Sequence, residues 1–289
     1  MKKSNANNPV QLREWHSSRK EKGASTWLRI YQNISNYSYF IRQLVRLSFL
    51  KEFKRSYIGL LWLFILPIVS AIIWIILNGA GIIQPGDTGI AYPAYVLLST
   101  SIWGFFIEMY KNTSNIFLSG GKMKLLARFP YEAFIVEKLI VQSLRFVIPF
   151  AINIIVLLLF GVRFTWLALL FPLTLLPLLI LGLAIGLIVS IFRVLIDDLA
   201  IFTDQAMSFL MFLTPVVYAP DIQLGFLSQL IHYNPLTYLI GFSRDVLTKG
   251  SWYEPGIWAI CVLFSFLLLL IAVRIFVIAE PRVIERLIN

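Results

Sequence analysis

The feature that most constrains the fold is a stretch of 21 residues, Tyr57 to Leu77, in which no side chain is charged at neutral pH. About 20 apolar residues are what an α-helix needs to cross the hydrocarbon core of a bilayer. Three basic residues, Lys51, Lys54 and Arg55, stand just before it. Because Lys and Arg stay on the cytoplasmic side in short flanks, the stretch predicts a membrane span entered from the cytosol.

Five more apolar stretches follow, and together they predict an all-α integral membrane protein with six transmembrane helices. The predicted spans are residues 57–77, 91–107, 139–160, 166–191, 199–219 and 256–278. Of the 25 Lys and Arg residues, 21 fall in segments that this topology places in the cytosol and 3 in segments that it places outside. We therefore expect both termini to be cytosolic, with a loose tail over 1–38 and the transmembrane domain over 39–289.

Composition agrees with this class of protein. Only 14% of the residues are charged, against about 25% in an ordinary soluble domain. The excess of basic residues would then set the topology and contact anionic lipid head groups, so we expect membrane lipids and no nucleic acid among the partners.

The segment before the first span predicts an amphipathic helix that lies in the membrane interface. Its apolar face carries Ile41, Leu44, Val45 and Phe49, and its polar face carries Arg42 and Arg46. The alternative is a solvated helix that packs on a partner subunit.

The segment between the fifth and sixth spans, residues 220–255, is unusual because much of it is apolar. Asn234-Pro235 divides it into two halves, and each half is too short to cross a membrane. Two short re-entrant helices fit this pattern, since irregular backbone at membrane depth must be sheltered by protein. A small extracellular helical hairpin is the alternative.

Catalytic chemistry has little support in the sequence. The two histidines, His16 and His232, and the lone Cys261 assemble no catalytic or metal-binding motif. The Leu-Ser-Gly-Gly run that ends at Gly121 lacks the frame of a phosphate loop, so we expect no catalytic residue, metal or cofactor on this chain. Arg145 and Asp204 are the ionisable residues inside predicted spans, and Arg145 either extends to the interface or faces a water path.

Four segments carry a family resemblance. They are Arg55 to Trp62 with Pro67, Phe129 to Ala133, Thr214 to Tyr218, and Asn234 to Thr237 with Arg244. In this order and spacing the chain resembles the membrane subunit of bacterial ABC exporters for cell-surface polysaccharides, the O-antigen and teichoic-acid permease family. One departure is Tyr131, which stands where that family usually has Arg.

The resemblance implies a coupling helix between the second and third spans that docks on a separate ABC ATPase subunit. Its residues would be Lys122, Lys124, Arg128, Phe129, Pro130, Tyr131 and Glu132. It also implies an outward gate at Tyr218, Asn234, Pro235 and Arg244. The working unit would be a homodimer with two ATPases in the inner membrane, with ATP and Mg²⁺ on the partner and a lipid-linked glycan as substrate.

A glycan path needs both polar groups and aromatic rings, because sugars present hydroxyls and flat C–H faces. Two helix faces meet this need, one in the first span with Trp62, Ser70 and Trp74, and one in the fifth with Phe202, Gln205, Ser208, Phe209 and Phe212. Ordinary aromatic packing is the alternative for these residues. The rival functions are an ABC permease for a drug or lipid, and a membrane-embedded glycosyltransferase or acyltransferase.

Overall fold

The computed structural model describes residues 23–55, 57–119, 130–221 and 225–288, and the elements within these ranges are helices. They are α1 (Gly23–Asn36), α2 (Ser38–Arg55), α3 (Tyr57–Gly79), α4 (Tyr92–Ser114), α5 (Tyr131–Leu159), α6 (Phe171–Thr174), α7 (Leu176–Leu195), α8 (Asp197–Leu210), α9 (Phe226–Tyr233), α10 (Pro235–Thr248) and α11 (Pro255–Ile288). A 3₁₀ turn, Trp166–Leu170, leads into α6. The prediction of an all-α chain is confirmed for the described residues.

Three segments are long and apolar enough to cross a membrane, by length and composition, among the residues that the structure describes. They are Tyr131–Leu159, Trp166–Leu195 and Pro255–Leu287. Within α3, Ile68–Gly79 forms a shorter apolar stretch. The predicted third span, 139–160, is shorter than α5, which begins at Tyr131. The predicted sixth span, 256–278, is shorter than α11, which ends at Ile288. In both cases the helix continues past its apolar stretch into polar residues.

Helices α4 and α7 form the centre of the molecule. Helix α11 packs along α7, and α4 packs against α7, α5 and α3. The approach of α7 to α4 is close at Gly182 and Gly186, where an added Cβ would lie 2.8 Å from the Phe106 carbonyl oxygen and 2.7 Å from the Thr113 Cβ. Small residues four apart let two helix backbones approach in this way.

The predicted fifth span is wrong in its extent, because α8 ends at Leu210 instead of continuing to residue 219. Three backbone bonds of the i to i+3 type carry the chain on as far as Thr214. Pro215 then has no N–H with which to continue the helix. The result is an irregular segment, residues 213–218, at the end of α8.

The N-terminal region also differs from the expected loose tail, since residues 23–36 form α1. Its Ile30 and Ile34, one turn apart, line a small apolar cleft with Ile135 of α5 and Phe276 of α11. The sequence signal for this helix, which the prediction of a loose tail overlooked, is the pair Ile30 and Ile34. Residues four apart lie on the same face of a helix and give α1 one apolar side.

Two short helices meet at Asn234-Pro235, as the division of the 220–255 segment predicts. Helix α10 is buried over Leu236–Thr248. It is surrounded there by the 3₁₀ turn Trp166–Leu170 and by helices α4, α6, α7 and α11. It is therefore an internal element of the chain. Whether α9 and α10 dip into a membrane stays a prediction.

Candidate functional site

The irregular segment 213–218 is the centre of the candidate site. Its Thr214 and Val216 are fully buried and Val217 is 4% exposed. Backbone carbonyls that leave a helix in a buried environment need other donors, since an unpaired buried polar group is costly. The structure supplies these donors from side chains.

Asn234 ties the segment to the α9–α10 junction. Its Nδ2 donates to the carbonyl oxygen of Leu213 at 3.0 Å and to Oγ1 of Thr214 at 2.8 Å. Its Oδ1 accepts from the backbone N–H of Leu236 at 3.0 Å and so caps α10. One side chain therefore fixes both the end of α8 and the start of α10.

Two tyrosines of α4 and one arginine of α10 hold the other carbonyls. Tyr92 donates its hydroxyl to the Val217 carbonyl at 3.0 Å, and Tyr95 lies 2.7 Å from the Tyr218 carbonyl and 3.2 Å from that of Pro215. Nη1 of Arg244 donates to the Tyr95 hydroxyl at 2.7 Å and to the Pro215 carbonyl at 3.2 Å. We call Tyr92, Tyr95, Asn234 and Arg244, with residues 213–218, the Arg244 cluster.

The charge of Arg244 is buried and locally balanced. The side chain is 4% exposed, its guanidinium lies 4.4 Å from the centroid of the Tyr95 ring, and its Nε lies 3.6 Å from Oδ1 of Asp245. Lys249 pairs with the same carboxylate at 3.2 Å. A buried cation is stable only where such partners replace water, so the cluster is a polar junction with a fixed geometry.

The four residues predicted for the outward gate all lie in or beside this cluster. Asn234 and Arg244 are two of its donors, and Tyr218 contributes a carbonyl and donates its own hydroxyl to the Phe212 carbonyl at 2.8 Å. Pro235 follows Asn234 as the first residue of α10. Sequence reasoning missed Tyr92 and Tyr95, whose signal was two tyrosines three residues apart at the start of an apolar helix.

The face of α8 predicted to line a path is uncovered. Phe202, Phe209 and Phe212 are 69%, 66% and 55% exposed, and Gln205 and Ser208 beside them are also exposed. The structure thus leaves a mixed polar and aromatic face along one side of α8.

The other predicted path face lies on α3, and the two faces meet. Trp74 contacts Phe212 edge to face, with 6.2 Å between ring centroids. Ser70 of α3 is exposed, and the side chain of Trp62 lies outside the described residues. The two predicted faces therefore touch at Trp74 and Phe212, and Phe212 lies just beyond the end of α8.

The predicted coupling helix is described only at its end. Lys122, Lys124, Arg128 and Phe129 lie outside the described residues. Pro130 precedes α5, which begins at Tyr131, so Tyr131 and Glu132 belong to the first turn of α5.

The side chain of Tyr131 is 4% exposed and packs against the rings of Phe117 and Phe276. These contacts lie within the chain, and the docking of Tyr131 on a partner subunit stays a prediction. Glu132 accepts a hydrogen bond from Nδ2 of Asn33 at 3.3 Å, which ties α1 to the start of α5.

The predicted interface helix corresponds to α2, which packs on α5 and α3. Ile41 and Leu44 are buried, Arg42 and Arg46 are exposed, and Val45 and Phe49 are half-buried. Its position in a membrane interface stays a prediction.

A second polar cluster lies at the far end of α4, and we call it the Asp204 cluster. Oδ1 of Asp204 accepts from Nη2 of Arg193 at 2.7 Å and from the hydroxyl of Tyr110 at 2.7 Å. Nη2 of Arg193 also donates to Oγ of Ser114 at 3.2 Å. Sequence reasoning found Asp204 inside a predicted span but missed its partner, because Arg193 was assigned to a separate loop.

Metal chemistry finds no support in the described residues, since no group of three His, Cys, Asp or Glu side chains is placed to hold an ion there. Both polar clusters consist of tyrosine, amide, hydroxyl and paired charged groups. Such groups can hold backbone and helices in place.

Comparison with known proteins gives consistent matches. A model of the ABC-2 type transporter family matches residues 39–248. Two proteins of Klebsiella pneumoniae, each named O-antigen export system permease protein RfbA, are similar to the chain. One is 22% identical over 203 residues, covering 69% of this chain and 76% of that protein. The other is 24% identical over 228 residues, covering 78% and 86%. The range 39–248 contains both polar clusters.

Proposed function

The chain belongs to the ABC-2 type transporter family, and from this premise we propose that it is the membrane subunit of an exporter that moves a lipid-linked cell-surface polysaccharide. The family match confirms the broad resemblance seen in the sequence segments. The substrate class is supported by the two relatives, whose names refer to O-antigen export.

The observation that carries the proposal is the Arg244 cluster. Two separate sequence segments that resemble polysaccharide permeases, Thr214 to Tyr218 and Asn234 to Thr237 with Arg244, are bonded to each other there. Because they form one junction between α4, α8 and α10, a change at the α9–α10 hairpin is transmitted to the end of α8. This is the arrangement that a gate at one end of a path requires.

The uncovered face of α8 supports a polar path. Gln205 and Ser208 stand among exposed aromatic rings, and polar side chains are unfavourable against lipid. Aromatic rings with neighbouring hydroxyl and amide groups suit a chain of sugars, which can slide along such a surface without binding tightly. In the proposed unit this face meets its counterpart in a second copy of the chain.

The energy for export would come from a separate ABC ATPase. The unit we propose has six spans per chain, both termini in the cytosol of a bacterium, two copies of the chain and two ATPase subunits. ATP binding would move the segment before α5, and the push would reach α8 through the packed helices. The same surface chemistry suits a teichoic-acid type glycan on a lipid carrier.

A direct test is co-purification followed by export. The chain is co-expressed with a candidate ABC ATPase subunit, purified, and reconstituted with a lipid-linked O-polysaccharide. We expect a complex of two chains and two ATPases that moves the glycan in an ATP-dependent manner. Glycan movement without an ATPase, or nucleotide hydrolysis by the chain alone, would overturn the proposal.

The matched variants are Arg128→Glu and Arg163→Glu. Arg128 lies in the predicted coupling segment, so its reversal should reduce ATPase binding and export at least tenfold. Arg163 is exposed in the loop after α5, and its reversal should leave both unchanged. Equal ATPase binding by the two variants would refute the coupling assignment.

A further inference from the structure

We propose that Arg193 and Asp204 are positioning residues that set the placement of α8, and with it the uncovered face that the proposed transport would use. The inference rests on the proposed function for its link to export. Its geometric part concerns this chain alone. Neither residue belongs to the four sequence segments that carry the family resemblance.

The first observation is that the contact is specific. Oδ1 of Asp204 receives two hydrogen bonds of 2.7 Å, one from the Arg193 guanidinium and one from the Tyr110 hydroxyl. Tyr110 is fully buried and Ser114, the other partner of Arg193, is 1% exposed. Charge-assisted bonds of this length at a half-buried site fix the orientation of both partners.

The second observation is that α8 packs on the rest of the chain along one side only. Ala200 is 3% exposed, and Met207 and Leu210 pack against the core. On the other side Phe202 and Phe209 are uncovered and Ile201 is 61% exposed. A helix held along one narrow apolar side needs directed polar contacts to fix its position, and for α8 these contacts come from the two polar clusters.

The third observation is that both clusters use the same helix as their support. Tyr95 bonds the segment that follows α8, and Tyr110 bonds Asp204 within α8. The two tyrosines are 15 residues apart on α4, about 22 Å along its axis. Helix α8 is thus tied to α4 at its middle, through Asp204, and just beyond its C-terminal end, through the 213–218 segment.

This arrangement suits a helix that must move as a unit. Packed apolar side chains interlock over their whole length, whereas a few hydrogen bonds at two points can exchange partners locally. Asp204 and Arg193 therefore determine where the α8 face stands, while the rings on that face would contact the substrate. Neutralising Asp204 leaves the guanidinium without its carboxylate and removes the tie at the middle of the helix.

The experiment measures the placement of α8 directly. A cysteine replaces Phe209 in a Cys261→Ala background, and membranes containing the full chain are treated with a water-soluble maleimide. We expect Asp204→Asn and Arg193→Gln to change the labelling rate at position 209 at least threefold. The double variant Arg193→Asp with Asp204→Arg should return the rate towards that of the parent.

The matched control is Asp198→Asn, which removes the same charge from an exposed position on the same helix. We expect it to label at the parent rate. Should Asp204→Asn and Asp198→Asn label alike, the positioning role is refuted. If Asp204→Asn fails to accumulate in the membrane, the labelling rate of Tyr110→Phe decides the question. This change removes one hydrogen bond to Asp204 and keeps the charge pair. A changed labelling rate supports the proposal, and the parent rate overturns it.

Export is the second measurement, made on complexes matched for bound ATPase. Asp204→Asn should lower the amount of glycan moved per ATP hydrolysed at least tenfold, a ratio that simple loss of protein would not alter. Altered labelling of Asp204→Asn, together with a parent chain that itself moves no glycan, would keep the positioning role and refute the proposed function. Unaltered labelling of Asp204→Asn, together with normal export by the parent, would do the reverse.

Discussion

At the scale of single residues, the buried guanidinium of Arg244 is the group that most needs hydrogen-bond partners in place of water. Its stability depends on the Tyr95 hydroxyl, which accepts from Arg244 and lies within hydrogen-bonding distance of two carbonyls of the 213–218 segment. One oxygen atom therefore links α4, α10 and the end of α8. Its removal leaves a buried cation and a buried carbonyl each short of one partner.

We accordingly predict that Tyr95→Phe lowers the free energy of unfolding by about 1–3 kcal/mol, the cost of buried polar groups left unpaired. The aromatic ring and its contact with Arg244 would remain. Denaturant titration of the purified chain in detergent measures the change. Tyr233→Phe, at a side chain that is 82% exposed, serves as the control and should change little. Equal stability of the two variants would contradict the role given to the Tyr95 hydroxyl.

At the scale of helices, the contact between α4 and α7 depends on two glycines. The α7 sequence from Gly182 to Gly186 is a G-x-x-x-G motif, and both positions face α4 closely enough to exclude a methyl group. The two central helices can approach only because these side chains are absent.

Gly186→Ala is therefore expected to destabilise the fold by about 1–3 kcal/mol, since its methyl group would meet the Thr113 Cβ at 2.7 Å and the Tyr110 carbonyl at 2.9 Å. The thermal unfolding midpoint in detergent reports the effect. Gly104→Ala is the matched control on α4, because nothing lies within 4 Å of its added Cβ. An unchanged thermal unfolding midpoint for Gly186→Ala would show that α4 and α7 move apart at little cost in free energy.

Helix α1 gives a second prediction at this scale. Replacing Ile30 and Ile34 with Ser should detach α1 from α5 and α11, because these side chains line the cleft that joins the three helices. Limited proteolysis would then cut α1 several times faster. The same change at Leu28 and Tyr31, which are 64% and 73% exposed on the same helix, should have no such effect. Similar cleavage of both double variants would refute the docking of α1.

Much of the helical architecture was predictable, and the reasons are local. Apolar length alone predicted spans at 139–160 and 256–278, which fall within the helices Tyr131–Leu159 and Pro255–Leu287 that are long and apolar enough to cross a membrane. Asn234-Pro235 marked a true helix boundary. The bonding partners were harder to predict. Tyr95 and Arg244 are 149 residues apart, and nothing in the local pattern of either one specifies the other. Asp204 was noted inside a predicted span and is half-buried in the structure, but its partner Arg193 was not predicted, since the two lie on separate helices on either side of the extended Ile196.

At the scale of the whole molecule, two kinds of uncovered surface differ in chemistry. Helix α11 exposes apolar side chains such as Ile260, Leu263 and Ile271, which suits contact with lipid. Helix α8 exposes Gln205 and Ser208 among its aromatic rings. The difference predicts that one surface meets hydrocarbon and that the other lines a water-filled space.

A cysteine at position 202 in a Cys261→Ala background should therefore react with a water-soluble maleimide at least tenfold faster than one at position 263. Both parent side chains are well exposed, at 69% and 59%, so exposure in the isolated chain does not explain such a difference. The rates are measured in native membranes. Equally slow labelling at both positions would indicate that α8 also faces lipid, and the path assignment would be wrong.

The enclosure of α10 constrains how the protein is made. Helix α10 leaves the ribosome after α4, α6 and α7 but before α11, which covers its remaining side. The buried Arg244 and Asp245 of α10 are unfavourable in lipid, so during synthesis this helix depends on the arrival of α11 to cover them. A polypeptide cut short near residue 250 would leave this polar pair uncovered in front of the insertion and quality-control machinery.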